Sequence, residues 1–246
     1  MEKPSYKEML DAGVHFGHLK KKWNPKMGPY IFAERKGIHI IDLNKTSESL
    51  ERAGQAARQM ARAGKKILFV ATKKQAREIV KTAARSVNMP YVTDRWLGGM
   101  MTNFATIRRS VRKMKNIERM LGDTSLTSIT KKERLTLTRE HAKLDKVLGG
   151  IANINRIPST MFIIDISHEH IAIAEAHKLN VRTLGLVDTN SDPGQVDYPI
   201  PGNDDASKSI AMITNYITGM IKMGLDERNQ AKAEKDNAKA KEGAAS

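Results

Sequence analysis

Short apolar runs alternate with helix-like stretches over much of the chain. Three runs are continuous, as in strands that a parallel sheet buries on both faces; they cover residues 67–71, 161–164 and 183–187. A shorter strand is predicted near Tyr91 and Val92. Apolar residues spaced by three and four predict helices over residues 44–64, 73–86, 168–179 and 206–222. This alternation predicts a three-layer α/β domain with a parallel sheet in the middle.

A basic extension, residues 1–43, forms the N-terminal part of this domain. It begins with a predicted short helix over residues 5–12 and a loop rich in Gly, His and Lys over residues 13–25. Two strand-like pieces follow, residues 30–33 and 38–43, and the four residues between them end in Gly37. That length and that glycine favour a β-hairpin. The helix after the hairpin has Thr46 or Ser47 as its candidate cap.

Residues 103–150 break the alternation and predict an antiparallel pair of helices. Two narrow apolar stripes, from Phe104 to Leu121 and from Leu137 to Ile151, flank a turn composition at residues 122–128. We therefore expect a coiled-coil hairpin inserted into the α/β domain, which would then consist of residues 1–102 and 151–224. The outer faces of the hairpin carry Arg108, Arg109, Arg112, Lys113, Lys115, Arg119, Lys131, Lys132, Arg134, Arg139, Lys143 and Lys146. The tail, residues 225–246, has almost no apolar bulk, which predicts frayed helix or disorder.

Charge is distributed unevenly along the chain. Its 246 residues include 42 Lys and Arg against 27 Asp and Glu, for a net charge of +15. The first 150 residues carry +18 and residues 151–221 carry −4, which favours a polyanionic partner for the first part. The chain has no cysteine, no signal-like N-terminus and no apolar stretch of membrane-spanning length. These features predict a cytoplasmic protein without disulfides, thiolate metal sites or a membrane anchor.

Three enzyme hypotheses are weak. No phosphate-binding loop and no dinucleotide-binding glycine motif is present. His15 with His18, and the SHEH motif at residues 167–170, lack the spacing of a helical zinc site, and Ser167 is a candidate helix cap. Carboxylates follow the third apolar run and could hold magnesium, but turn and cap roles are favoured for them; they are Asp188, Asp192, Asp197, Asp204 and Asp205. The sequence therefore predicts no catalytic residue, metal, cofactor or small-molecule substrate, and a phosphate-handling enzyme using Asp188, Asp192 and the Lys73 region stays as the alternative.

Three basic motifs favour RNA. The KKKWNPK stretch at residues 20–26 surrounds Trp23 with ammonium groups, and an indole can stack on a base. A second motif, residues 95–103, combines Arg95 and Trp96 with two glycines that allow close backbone approach, although Trp96 suits a core role equally well. The third motif, which contains Lys73, Lys74 and Arg77, follows a buried strand at a predicted helix start, where a phosphate would be held.

Several longer motifs together carry a resemblance to a known family. The stretches AGVHFGH, DRWLGGMMTNF, PSTMFIID, VDTNSDP and IPGNDDA occur in that order, and they resemble the bacterial ribosomal protein S2 family over about residues 5–224. The resemblance implies a flavodoxin-like sheet with a coiled-coil hairpin. It also implies a structural, non-catalytic component of the small (30S) ribosomal subunit that binds 16S rRNA and docks the mRNA-binding ribosomal protein S1 and other small-subunit proteins.

This interpretation assigns the rRNA contacts to particular residues. We do not expect a homo-oligomer, and we expect the contacts to be made chiefly to phosphates. The residues are His15, His18, Lys20, Lys21, Lys22, Trp23, Asn24, Lys26, Arg35, Lys36, Lys73, Lys74, Arg77, Arg95, Trp96, Thr102, Asn103, Arg108, Arg109, Arg112 and Lys113.

Overall fold

A parallel five-stranded sheet forms the centre of the molecule. The computed structural model describes residues 3–122 and 130–244 of the chain. The strands are β4 (Ile67–Val70), β5 (Tyr91–Val92), β6 (Thr160–Ile164), β7 (Arg182–Val187) and β8 (Tyr198–Pro201). Their spatial order is β5-β4-β6-β7-β8, which is the flavodoxin-like order. The predicted fold class is thereby confirmed.

Helices cover both faces of this sheet. On one face α2 (Leu43–Arg62), α3 (Arg77–Ser86) and α7 (Ser207–Ala244) enclose a core that includes Phe69 and Phe162. On the other face α6 (His170–Lys178) and the base of the helical insertion enclose Leu68, Val70 and Met161. Every residue of β4 and β6 is buried. This two-sided burial is the reason that these strands read as continuous apolar runs.

The N-terminal extension forms a second, antiparallel sheet. After α1 (Tyr6–Asp11) come β1 (Phe16–Leu19), β2 (Ile31–Arg35) and β3 (Ile38–Ile41), in the order β1-β3-β2. The β2–β3 hairpin was predicted, but the loop prediction was wrong for β1. Residues 16–19 are strand because they pair with β3, a partner that their own polar and apolar pattern does not reveal.

The insertion consists of α4 (Phe104–Gly122) and α5 (Lys131–Leu148), which pack against each other. The predicted turn between them lies almost wholly in residues 123–129, outside the described part of the chain. In α4 the buried positions are Ile107, Val111, Met114 and Ile117, and they follow the predicted stripe. In α5 only Leu148 is buried, so most of this helix is exposed or half-buried, as expected of a projecting arm.

The last helix is longer than the sequence predicted. It continues to Ala244 instead of ending near residue 222 and giving way to a frayed or disordered tail. Packing against α2 explains its first added turns. A side chain at Gly224 would place a Cβ atom 2.3 Å from the carbonyl oxygen of Arg58, so glycine permits the two helices to touch. Beyond it, Arg58 Nε donates to Glu227 Oε1 at 2.7 Å.

Three helix starts also differ from their predictions. Asp42, rather than Thr46 or Ser47, caps α2 by accepting from the backbone N–H of Asn44. The third helix starts at Arg77 instead of residue 73, and α6 has Glu169 rather than Ser167 at its N-cap position. Within residues 3–122 and 130–244, no helix is long and apolar enough to cross a membrane.

Candidate nucleic-acid interface

The N-terminal sheet assembles one basic surface, called here the N-terminal patch: Lys20, Lys21, Lys22, Lys26, Arg35 and Lys36. Pairing of β1 with β3 brings the KKKWNPK stretch beside Arg35 and Lys36, because the Lys20 backbone N–H donates to the Gly37 carbonyl at 2.9 Å. The Lys20 ammonium lies 2.7 Å from Glu34. Lys21 and Lys22 are exposed, with no carboxylate partner among the described residues.

Trp23 lies beside this patch with 39% of its surface exposed. Its ring centre is 5.2 Å from that of His39, and the exposed part of the indole is free to stack. Asn24 and Lys26 anchor the segment to the loop after β7: Asn24 N–H donates to the Thr189 carbonyl at 2.8 Å, and Lys26 Nζ lies 2.6 Å from Asp192 Oδ2. The hydrogen bond from Lys26 holds the pKa of Asp192 below its usual value.

His15 and His18, two of the predicted rRNA contacts, lie against other side chains of the protein. His15 stacks on Phe16 with ring centres 4.0 Å apart, and burial lowers its pKa. His18 Nδ1 lies 3.1 Å from Asp188 Oδ1. That interaction raises the pKa of His18 although burial opposes it. Neither ring belongs to the exposed basic surface.

Lys73 lies among three carboxylates. Its ammonium lies 2.6 Å from Asp205 Oδ1, 2.7 Å from Asp204 Oδ1 and 3.2 Å from Asp165 Oδ2. Burial alone would lower the pKa of Lys73, but these carboxylates raise it above its usual value. The ammonium of Lys73, for which a phosphate contact is predicted, is thus paired within the protein, whereas Lys74 is exposed.

Arg77 and Arg95 do come together, in a cavity of about 450 Å³ at one edge of the sheet. Arg77 Nε donates to the Thr72 carbonyl at 2.8 Å, and its Nη1 lies 3.3 Å from Asp94 Oδ1. Lys146 at the end of α5 also lines this cavity. The position of Lys146 in this cavity was not predicted, because only the return of α5 to the sheet brings it beside Arg77.

The motif at residues 95–103 is organised by a carboxylate that the sequence analysis missed, Glu175 in α6. Trp96 is buried and donates from Nε1 to Glu175 Oε1 at 3.0 Å. The same carboxylate accepts from three backbone N–H groups, those of Gly99 at 2.7 Å, Met101 at 2.8 Å and Thr102 at 2.9 Å. The core role of Trp96 is thus the correct alternative. The loop backbone approaches a carboxylate inside the protein.

Glu175 is ionised in this setting. Burial would raise its pKa, but the donors from Thr102, Trp96, Met101 and Gly99 outweigh burial and lower it. The sequence does contain a signal for this residue, because Glu175 is an acidic residue beside Ala172 and Ala176 on the side of α6 that is buried. The adjacent Thr102 and Asn103 side chains are exposed.

The arm presents a further basic surface. Arg109 and Arg112 are exposed on α4 and have no carboxylate partner among the described residues. Arg108 donates to the Asn155 carbonyl at 2.9 Å, and Lys113 pairs with Glu140 of α5. Arg109 and Arg112 are therefore the predicted arm residues most available to a phosphate.

A second basic groove was not predicted. Between the β5 edge of the sheet and the base of the arm, a cavity of about 820 Å³ is lined by four cations and three asparagines. They are Lys65, Lys66, Arg85, Arg156, Asn88, Asn153 and Asn155. These residues come from three separate segments, so no single motif could have indicated the groove.

The acidic residues divide into two groups. Asp192 has the predicted turn role, since it accepts from the backbone N–H of Gly194, whereas Asp197 accepts from Thr183 of β7, 14 residues away in the chain. Asp188 and Asp204 instead converge with His18, and one ligand-type atom from each lies within 4.8 Å of the others. Burial and the neighbouring Asp188 and Asp165 raise the pKa of Asp204 to about 7.

The sequence of this chain is similar to those of proteins of one known family. Residues 9–224 match the family described as Ribosomal protein S2. The protein named small ribosomal subunit protein uS2 of Cytophaga hutchinsonii is 57% identical over 241 residues, which cover 98% of this chain and 94% of that protein. The protein of the same name from Christiangramia forsetii is 56% identical, and the match covers 92% of this chain and 76% of that protein. The one from Parabacteroides distasonis is 51% identical, and the match covers 98% of this chain and 86% of that protein. The chain therefore belongs to the ribosomal protein S2 family.

Proposed function

We propose that this protein is a structural constituent of the bacterial small ribosomal subunit, in the cytoplasm, where it binds 16S rRNA. Membership of a ribosomal protein family decides against the phosphate-handling enzyme. The observation that supports rRNA binding is a set of exposed cations that have no carboxylate partner among the described residues. They are Lys21, Lys22, Arg35, Lys36, Lys74, Arg95, Arg109 and Arg112.

These cations suit a folded RNA better than a small anion. They are spread over the N-terminal patch, the edge of the sheet and the arm, so a partner that meets all of them must be large. Lysine and arginine contacts to phosphates fix the position of a protein on RNA and do not read base sequence. Trp23 adds a surface on which one unpaired base can stack.

A protein neighbour is proposed for a different surface. Four apolar side chains beside the N-terminal sheet are exposed, namely Phe32 at 76%, Tyr6 at 55%, Phe16 at 48% and Leu10 at 39%, and they line a groove of about 650 Å³. Exposed apolar surface of this kind marks interaction sites. We assign the docking of ribosomal protein S1, or of another small-subunit protein, to this groove, and we expect no homo-oligomer.

The arm is the most direct test of rRNA binding. In the full-length chain carrying an epitope tag, Arg109→Glu with Arg112→Glu reverses two exposed charges on α4. The matched control, Lys178→Glu with Lys208→Glu, makes the same change of net charge on exposed helical residues of the acidic half. Each variant is expressed beside the untagged protein, and the tagged fraction in small subunits is measured on sucrose gradients.

We expect the arm variant to be depleted from small subunits at least fivefold and the control to be incorporated normally. The wild-type protein should be released progressively as salt rises, since phosphate contacts release counterions. Equal incorporation of both variants, with equal urea midpoints, would count against the arm as an RNA contact. Migration of the wild-type chain only as a free protein would refute the proposed function.

A further inference from the structure

Four acidic side chains meet at the carboxyl edge of the parallel sheet. Asp165 and Asp188 directly follow β6 and β7, and Asp204 and Asp205 lie three and four residues after the end of β8. In open α/β sheets this edge is where ligands bind, beside the point at which the strand order reverses. Here that point lies between β4 and β6.

The charges in this cluster do not balance. Four carboxylates face one ammonium, that of Lys73, and one imidazole, that of His18. Lys73 contacts Asp165, Asp204 and Asp205 but not Asp188 among the ion pairs of the described residues. Buried carboxylates are costly unless they are paired or coordinate a cation.

One oxygen in the cluster has no partner. Asp204 is fully buried, and its Oδ1 accepts from Lys73. Its other oxygen, Oδ2, is buried and has no hydrogen-bond partner among the described residues. A buried acceptor in this state is unfavourable, and an ion bound by this oxygen and by the two neighbouring ligand-type groups, His18 and Asp188, would remove that cost.

The geometry around His18 matches a metal ligand. Its Nδ1 lies 3.1 Å from Asp188 Oδ1, close to the ~3.3 Å that separates two ligands of a tetrahedral ion with bonds of about 2.0 Å. Its Nε2 lies 3.5 Å from Asp205 Oδ2. A carboxylate beside the free nitrogen is the usual companion of a metal-bound histidine, because it orients the ring.

We propose that His18, Asp188 and Asp204 form a binding site for one divalent transition-metal ion, of the Zn²⁺ class. One imidazole and two carboxylates suit zinc better than magnesium or calcium, which prefer oxygen ligands alone. Lys73 then pairs with Asp165 and with the more exposed Asp205, and the net charge of the cluster falls to −1. The ion joins β1 to the edge of the main sheet and so fixes the N-terminal patch, which begins two residues after His18.

The test uses the purified, untagged, full-length chain after removal of metals with a chelator. Zn²⁺ alone is titrated by calorimetry, and bound zinc is counted after gel filtration. Co²⁺ is then substituted, because a four- or five-coordinate site absorbs visible light far more strongly than a six-coordinate one. The variants are His18→Gln and Asp204→Asn, and the matched control is His15→Gln, a half-buried histidine of the same segment.

We expect the wild type and His15→Gln to bind one Zn²⁺ with equal affinity, and each site variant to lose at least tenfold. Circular dichroism confirms that the variants are folded. If a variant fails to fold, the wild-type stoichiometry and its Co²⁺ spectrum decide. Several weak, equivalent sites, a six-coordinate Co²⁺ spectrum, or unchanged affinity in folded His18→Gln would overturn the proposal. None of these results depends on rRNA binding.

Discussion

The carboxylate of Glu175 is the part of the fold whose removal should be most informative. It holds the loop from Trp96 to Thr102 through five hydrogen bonds, three of them from backbone N–H groups. In Glu175→Gln one carboxylate oxygen becomes an NH₂ group that cannot accept. Trp96 and Gly99 donate to Oε1, while Met101 and Thr102 donate to Oε2, so either orientation of the amide leaves at least two N–H donors unpaired.

The expected loss in the free energy of unfolding of Glu175→Gln follows from the number of unpaired donors. An unsatisfied buried donor costs about 1–3 kcal/mol. Two unpaired donors give an expected loss of about 2–5 kcal/mol, with the lower values for the orientation that leaves Thr102 unpaired, because Thr102 is exposed and can recruit water. Total stabilities of domains are roughly 5–15 kcal/mol, so the loss is large enough to measure at pH 7 by urea unfolding of the full-length chain, followed by circular dichroism and Trp fluorescence.

The pH dependence gives an independent check. The pKa of folded Glu175 lies below its usual value of 4.5, so its stabilising contribution is present above the unfolded pKa and is lost as pH falls through the folded value. The difference between wild type and Glu175→Gln should therefore shrink below about pH 4.5. The control Glu78→Gln, on an exposed residue of α3, should change stability by less than ~0.5 kcal/mol. A loss below ~1 kcal/mol for Glu175→Gln, or a pH-independent loss, would refute the reasoning.

Three further outcomes are expected. Gly224→Ala should lower stability by about 1–3 kcal/mol, because the new Cβ would lie 2.3 Å from a backbone oxygen of α2; Gly98→Ala, with nothing within 4 Å, is the control, and equal urea midpoints would contradict the packing argument. Glu169→Gln should stabilise the chain at pH 8 but not at pH 4, since burial raises the pKa of Glu169 and ionisation of the folded state is then unfavourable; a pH-independent difference would count against it. Phe32→Ser should leave the urea midpoint almost unchanged, because 76% of this side chain is exposed, but should weaken the capture of S1 by assembled small subunits at least threefold.

Local pattern was sufficient for most of the architecture. The apolar runs at β4, β6 and β7 are continuous because both faces of these strands are buried, and the stripe of α4 repeats at the helical period because one face of that helix is buried. Three basic motifs were also visible, since charge requires no folding to be counted. The family followed from longer motifs in a fixed order.

Only the tertiary structure shows which groups pair with each charged side chain. Lys73 and Lys74 are adjacent and chemically alike, yet Lys73 lies among three carboxylates and Lys74 is exposed. From the sequence, Trp96 suits base stacking and a core position equally well. The hydrogen bond to Glu175, 79 residues later in the chain, shows that it belongs to the core. The sequence alone determined the sheet, the arm and the net basic charge; only the fold decided which cations remain free for RNA, because ion pairs and buried hydrogen bonds depend on distances between residues far apart in the chain.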